Sequence, residues 1–129
     1  MSCTHHSYQD LVVWQRSIEL VAAVYELTQD FPTEDHYGLA EQIKSTAVSI
    51  PSYIAKGRHR TNKHYYAHYL QTAYGCGMEM QKHITIAKCL PMLAAVDFQT
   101  VDSLLEEVMN TLSILTRALD PASRPFNTF

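Results

Sequence analysis

The chain reads as an all-α, antiparallel up-down-up-down four-helix bundle, and three observations predict it. Apolar residues recur at three- and four-residue spacing in four separate segments, which is the α-helical period. Only four glycines and five prolines occur in 129 residues, which leaves room for few loops. No segment alternates apolar and polar residues as a half-buried strand does, and neither an internal repeat nor a linker interrupts the pattern. Short connections make consecutive helices antiparallel neighbours. The length fits one domain, here residues 1–129.

The first helix is expected over about residues 8–30, with Ser7 and Asp10 as a capping box. Leu11, Trp14, Ile18, Val21 and Tyr25 keep helical step and read as its core stripe, with Trp14 as a core anchor or, alternatively, part of an interface stripe. A second stripe of Val13, Leu20, Val24 and Leu27 widens the apolar arc beyond what one bundle core needs. That excess is read as an oligomer interface, with packing under a loop as the alternative. Phe31-Pro32 breaks the helix.

A second helix is expected over about 36–56, capped by Thr33 or Asp35, with Leu39, Ile43, Ala47, Ile50 and Ile54 inward. Pro51 falls inside this pattern and either kinks the helix or starts a new one. Gly57 is expected to close it in a left-handed conformation. The third helix, about 62–90, has Asn62 as cap and a heptad seam of Tyr66, Leu70, Ala73, Gly77, Met80, Ile84 and Ala87. Gly75 and Gly77 each cost about 1 kcal/mol of helix propensity, tolerable where a neighbouring helix comes close. The fourth helix, about 97–119 and capped by Asp97, turns Val101, Leu104, Val108, Leu112, Leu115 and Leu119 inward. Residues 120–129 read as a tail.

Composition narrows the function classes. A 47% apolar content supports a core, and no apolar run reaches the ~20 residues of a membrane span. The opening residues lack a basic region followed by an apolar stretch, so no signal peptide is expected. Cys3, Cys76 and Cys89 show no metal spacing and read as reduced thiols, which points to the cytoplasm. The net charge of −3 hides a segregation. Residues 1–43 carry seven acids and one base, residues 44–88 seven bases and one acid, and residues 89–129 five acids and two bases. Segregation of this kind suits a polyanion-facing or self-complementary surface.

The stretches LVVWQRSIELVAAVYELTQDFP, YGLAEQIKSTAVSIPSYIAKG and HYLQTAYGCGMEMQKHITIAKCL resemble the bacterial four-helix-bundle family of rRNA intervening-sequence proteins. They are similar also to the accessory variability determinant of diversity-generating retroelements. The resemblance runs from about Tyr8 to Leu119. It implies a ring-shaped homo-oligomer, commonly a homopentamer, without enzymatic activity. It implies nucleic-acid binding and association with a reverse transcriptase for the accessory determinants. The chain departs from the family pattern in QIKST, which keeps only Lys44 of two adjacent bases. It departs also at Tyr53, where asparagine is common, at Lys56, where glutamate is common, and at Gly75-Cys76.

The stretch AKGRHRTNKHYYAHYL carries the candidate site. Lys56, Arg58, His59, Arg60, Lys63 and His64, with Lys44 further back, form the expected nucleic-acid-binding set. Tyr65, Tyr66 and Tyr69 follow at once, and cations beside aromatic rings are what single-stranded nucleic acid requires. His64 and His68 share a helix face, but HExxH is absent and two ligands do not make a metal site. Asp102, Glu106 and Glu107 suit a polar helix face, and Cys76 a buried inert thiol. No nucleophile-base arrangement is legible, so the chain is expected not to be an enzyme and to use no cofactor. Its expected partners are itself, RNA or DNA, and a reverse transcriptase, with no membrane. The alternative is a structural or protein-interaction oligomer that binds no nucleic acid.

Overall fold

A computed structural model describes residues 8–33 and 38–121. Four helices appear: α1 Tyr8–Thr28, α2 Leu39–Arg58, α3 Lys63–Cys89 and α4 Gln99–Leu119, with a short 3₁₀ turn at Pro91–Leu93 before α4. Among the described residues there is no strand. Each helix packs on its neighbour in sequence, and α1 also packs on α4, which closes a square of alternating direction.

The core is built from one face of each helix. Leu20, Val24, Ile43, Ile50, Ile54, Leu70, Met80, Val108 and Leu112 have essentially no exposed surface. Each such aliphatic side chain stabilises the fold by about 1.5–3 kcal/mol relative to exposure. At the end where α1 stops, Phe31 turns inward and meets Phe98 edge-on, centroids 6.3 Å apart. Asn62 caps α3 by accepting from the His64 and Tyr65 N–H groups at 2.8 and 3.3 Å. Asp97 accepts from Gln99 N–H at 3.0 Å and so serves α4 from one position before its formal cap. Of the other expected caps, Ser7 and Asp35 lie outside the described residues. At the start of α2, Gly38 stands at the cap position without a side-chain bond.

Two expectations need correction. The expected interface residues Val13, Leu20, Val24 and Leu27 are 0–7% exposed and form the α1 face of the chain's own core. The outward stripe is instead Leu11, Ile18 and Tyr25, with Trp14 and Val21 half-buried at its edge. Ser17 explains the reversal. It sits on the inner face, fully buried, and donates its hydroxyl to the Trp14 carbonyl at 2.6 Å, so the inner apolar stripe is interrupted in sequence but not in space.

Gly57 is not a left-handed stop. It lies within α2, and among the described residues no glycine has a positive φ. A Cβ there would lie 2.7 Å from Tyr66 Cδ1 and 2.9 Å from Tyr69 Cβ, so glycine is required because α3 presses on α2. Gly77 lies against the flexible Met109 side chain of α4, whereas Gly75 faces open space. Of the two readings of Pro51 the restart falls, and one helix runs through it from Leu39 to Arg58. Ser49 and Ser52 hydroxyls donate to the carbonyls of Ser45 and Val48, both at 3.0 Å, beside the residue that brings no N–H.

Candidate nucleic-acid interface

The antiparallel arrangement places the C-terminus of α2, the N-terminus of α3 and the end of α4 at one end of the bundle. A four-residue connection, 59–62, joins α2 to α3 there. Its tightness has a local cause. Arg60 N–H returns to the Gly57 carbonyl at 2.9 Å, Asn62 starts α3, and the bare Gly57 lets the helices close up.

Aromatic rings and cations interleave across this joint. Tyr53 of α2 stacks on Tyr69 of α3, with centroids 6.4 Å apart and planes 26° from parallel. The Lys56 ammonium lies 5.4 Å from the Tyr53 ring centre, and the Arg60 guanidinium 5.2 Å from that of Tyr69. Arg60 Nη2 also donates to the Tyr69 hydroxyl at 3.0 Å. The stack thus holds two cations at defined positions, each attracted to a ring face. His59 and Lys63 are exposed beside it. His64 turns toward α4, its Nδ1 3.1 Å from Asp120 Oδ2. Among the described residues, no carboxylate forms an ion pair with Lys56 or Lys63.

Two members of the expected set lie elsewhere. Lys44 is about 18 Å back along α2 at ~1.5 Å per residue. There it pairs with Glu41 at 3.1 Å and covers the Tyr25 ring at 5.3 Å. Arg58 points inward. Its Nε is buried, and its guanidinium and the Asp10 carboxylate, which is only 1% exposed, converge on the Tyr66 hydroxyl. Burial first, then the charge of Asp10, pushes the Tyr66 hydroxyl well above the usual tyrosine range, and Arg58 opposes the shift. The fold therefore holds Tyr66 neutral, its buried hydroxyl under the influence of the Asp10 carboxylate. This knot ties the start of α1 to the joint between α2 and α3. No local pattern links residues 10, 58 and 66, so sequence periodicity could not reveal it.

The positive midsection of the sequence is thus only partly one surface. Lys88 reaches Asp102 of α4 at 2.6 Å, at the far end of α3. Lys56, His59, Arg60, Lys63 and His64 remain together with Tyr53, Tyr65 and Tyr69. Among the described residues, no group of three or more His, Cys, Asp or Glu is placed to hold a metal ion. None of their helices is long and apolar enough to cross a membrane. A separate apolar cleft of about 340 Å³ opens between α1 and α2, lined by Trp14, Ile18, Val21, Val48, Pro51 and Ala55.

Fold and site together define a small helical bundle with a cationic, aromatic-rich end. Residues 9–114 match the family model described as 23S rRNA-intervening sequence protein, and the chain belongs to that family. No curated protein matches the sequence significantly.

Proposed function

We propose that this protein is a non-enzymatic, homo-oligomeric accessory protein that binds RNA or DNA through the end of the bundle where α2 meets α3. The observation that carries the reading is the interleaving of Lys56, Arg60 and Lys63 with Tyr53, Tyr65 and Tyr69. Cations that neutralise phosphates release counterions, which gives affinity without sequence preference. A family named for 23S rRNA intervening sequences accords with a nucleic-acid partner. An adaptor role toward a reverse transcriptase rests on the resemblance to accessory variability determinants alone.

The outward stripe of Leu11, Ile18 and Tyr25, with Val48 of α2 41% exposed beside it, is the surface for self-association, in a ring such as a pentamer. A ring would repeat the basic end and raise avidity. The same stripe favours a second reading, in which assembly is the whole role and nucleic acid is not a partner. Charge reversal separates the two. Lys56→Glu with Lys63→Glu leaves the helices and the assembly intact and, under the first reading, removes binding to a fluorescent oligonucleotide at low salt. Wild-type protein that binds neither RNA nor DNA at 50 mM salt would leave the second reading. Ile18→Glu tests assembly by solution mass: subunits should separate while binding weakens through lost avidity. An unchanged mass would rule out that stripe as the contact.

A further inference from the structure

We propose that the basic end takes nucleic acid whose bases are unpaired, and that Tyr65 is the ring on which a base stacks. This rests on the nucleic-acid reading of the same end and narrows its ligand class. Of the three tyrosines at the start of α3, the structure leaves one for a ligand. Tyr66 is fully buried and held by Asp10 and Arg58. Tyr69 is half-buried and already occupied, with Tyr53 stacked on it and the Arg60 guanidinium 5.2 Å from its centre. Tyr65 is 57% exposed, more than any other tyrosine, phenylalanine or tryptophan among the described residues. The other exposed tyrosine, Tyr25, carries the Lys44 ammonium over its ring and lies away from the cluster.

Tyr65 is also held in place from its own side. Its N–H donates to Asn62 Oδ1 at 3.3 Å, fixing its backbone in the first turn of α3. The His64 ring meets it edge-on at 5.9 Å, and His64 is itself tethered to Asp120. An ordered ring, presented to water within a run of cations, gives up little conformational freedom on binding a flat partner. The Arg60 and Lys63 cations precede it in sequence and supply the phosphate contacts that any strand needs. A duplex hides the faces of its bases, so it could use the cations and not the ring. An unpaired base can use both, and stacking is tolerant of sequence.

The test measures binding of a 20-nucleotide single strand and of its duplex, each as RNA and as DNA, to the wild type, Tyr65→Ala and Tyr65→Phe. Wild type should prefer the single strand. Tyr65→Ala should weaken single-strand binding roughly five- to hundredfold and leave duplex binding within about twofold. Tyr65→Phe should retain single-strand affinity, because stacking needs the ring and not the hydroxyl. The sugar form that shows the larger loss identifies the natural strand. Equal effects of Tyr65→Ala on both forms, or a Tyr65→Phe loss matching that of alanine, would overturn the stacking assignment and leave the basic end as a phosphate site. Absence of wild-type binding to either form would overturn the nucleic-acid reading and this inference with it.

Discussion

Replacing Gly57 by alanine should destabilise the protein, although alanine is the better helix former and Gly57 is helical. Propensity alone favours the alanine by about 1 kcal/mol. Against it, the new methyl would stand 2.7 Å from Tyr66 Cδ1, 2.9 Å from Tyr69 Cβ and 3.1 Å from Tyr66 Cε1. Ordinary carbon contacts are about 3.5–4.0 Å, so α2 and α3 must part by roughly 1 Å. Neither neighbour can step aside. A Cβ moves only with its backbone, and the Tyr66 ring is fully buried and fixed at its far end by Asp10 and Arg58. Overpacking of this kind costs about 1–3 kcal/mol, occasionally more, which after the propensity gain leaves a net loss of up to about 2 kcal/mol. Gly75→Ala is the internal control. It is helical and exposed with nothing within 4 Å, so the same change should stabilise by about 0.5–1 kcal/mol. Thermal melts followed by circular dichroism should separate the two variants in opposite directions from wild type, each kcal/mol being worth about 4 °C. A Gly57→Ala protein that melts at or above wild type, alongside Gly75→Ala, would refute the close-approach account of that glycine.

Tyr66→Phe removes the buried hydroxyl beside the Asp10 carboxylate and should cost about 1–3 kcal/mol in urea unfolding at pH 8. Because the folded value of this hydroxyl lies above the unfolded value of about 10, its contribution is complete below pH ~10 and fades as pH rises through the folded value. The wild-type advantage over Tyr66→Phe should therefore narrow at pH 10.5 and above, and an unchanged gap would deny that the fold holds the neutral form. In a Cys3→Ser background, exposed Cys89 should alkylate well before Cys76. Burial chiefly, with Glu79 adding and a Ser49 hydrogen bond opposing, pushes the Cys76 thiol up and depletes its thiolate. Equal rates would place Cys76 in water.

Much of the fold was legible because its signals are local. The stripes of α3 and α4 repeat without interruption, and Asn62 and Asp97 act as caps within three residues of themselves. What escaped was set by partners distant in sequence. Two apolar stripes compete on α1, and the larger side chains of the outer one outweighed an inner one broken by Ser17. Gly57 looked like a stop because α3's pressure on it is invisible in the α2 sequence. At the candidate site, sequence showed which residues carry charge and not where they point. Lys56, Arg60 and Lys63 stay on one surface, whereas Lys44 serves Tyr25 and Glu41, and Arg58 turns inward to Tyr66. At Pro51 the sequence left a continuing helix and a restart open, and the fold decides for the continuing one.

Photo-cross-linking of the protein to a single-stranded oligonucleotide carrying reactive uracils, with the attached peptides read by mass spectrometry, tests the central claim most directly. Cross-links should concentrate between residues 53 and 69, with Tyr65 the foremost site, and should vanish in the Lys56→Glu, Lys63→Glu variant. Cross-links spread over α1 and α4, or persisting after that charge reversal, would contradict the claim that the α2–α3 end is where this protein meets nucleic acid.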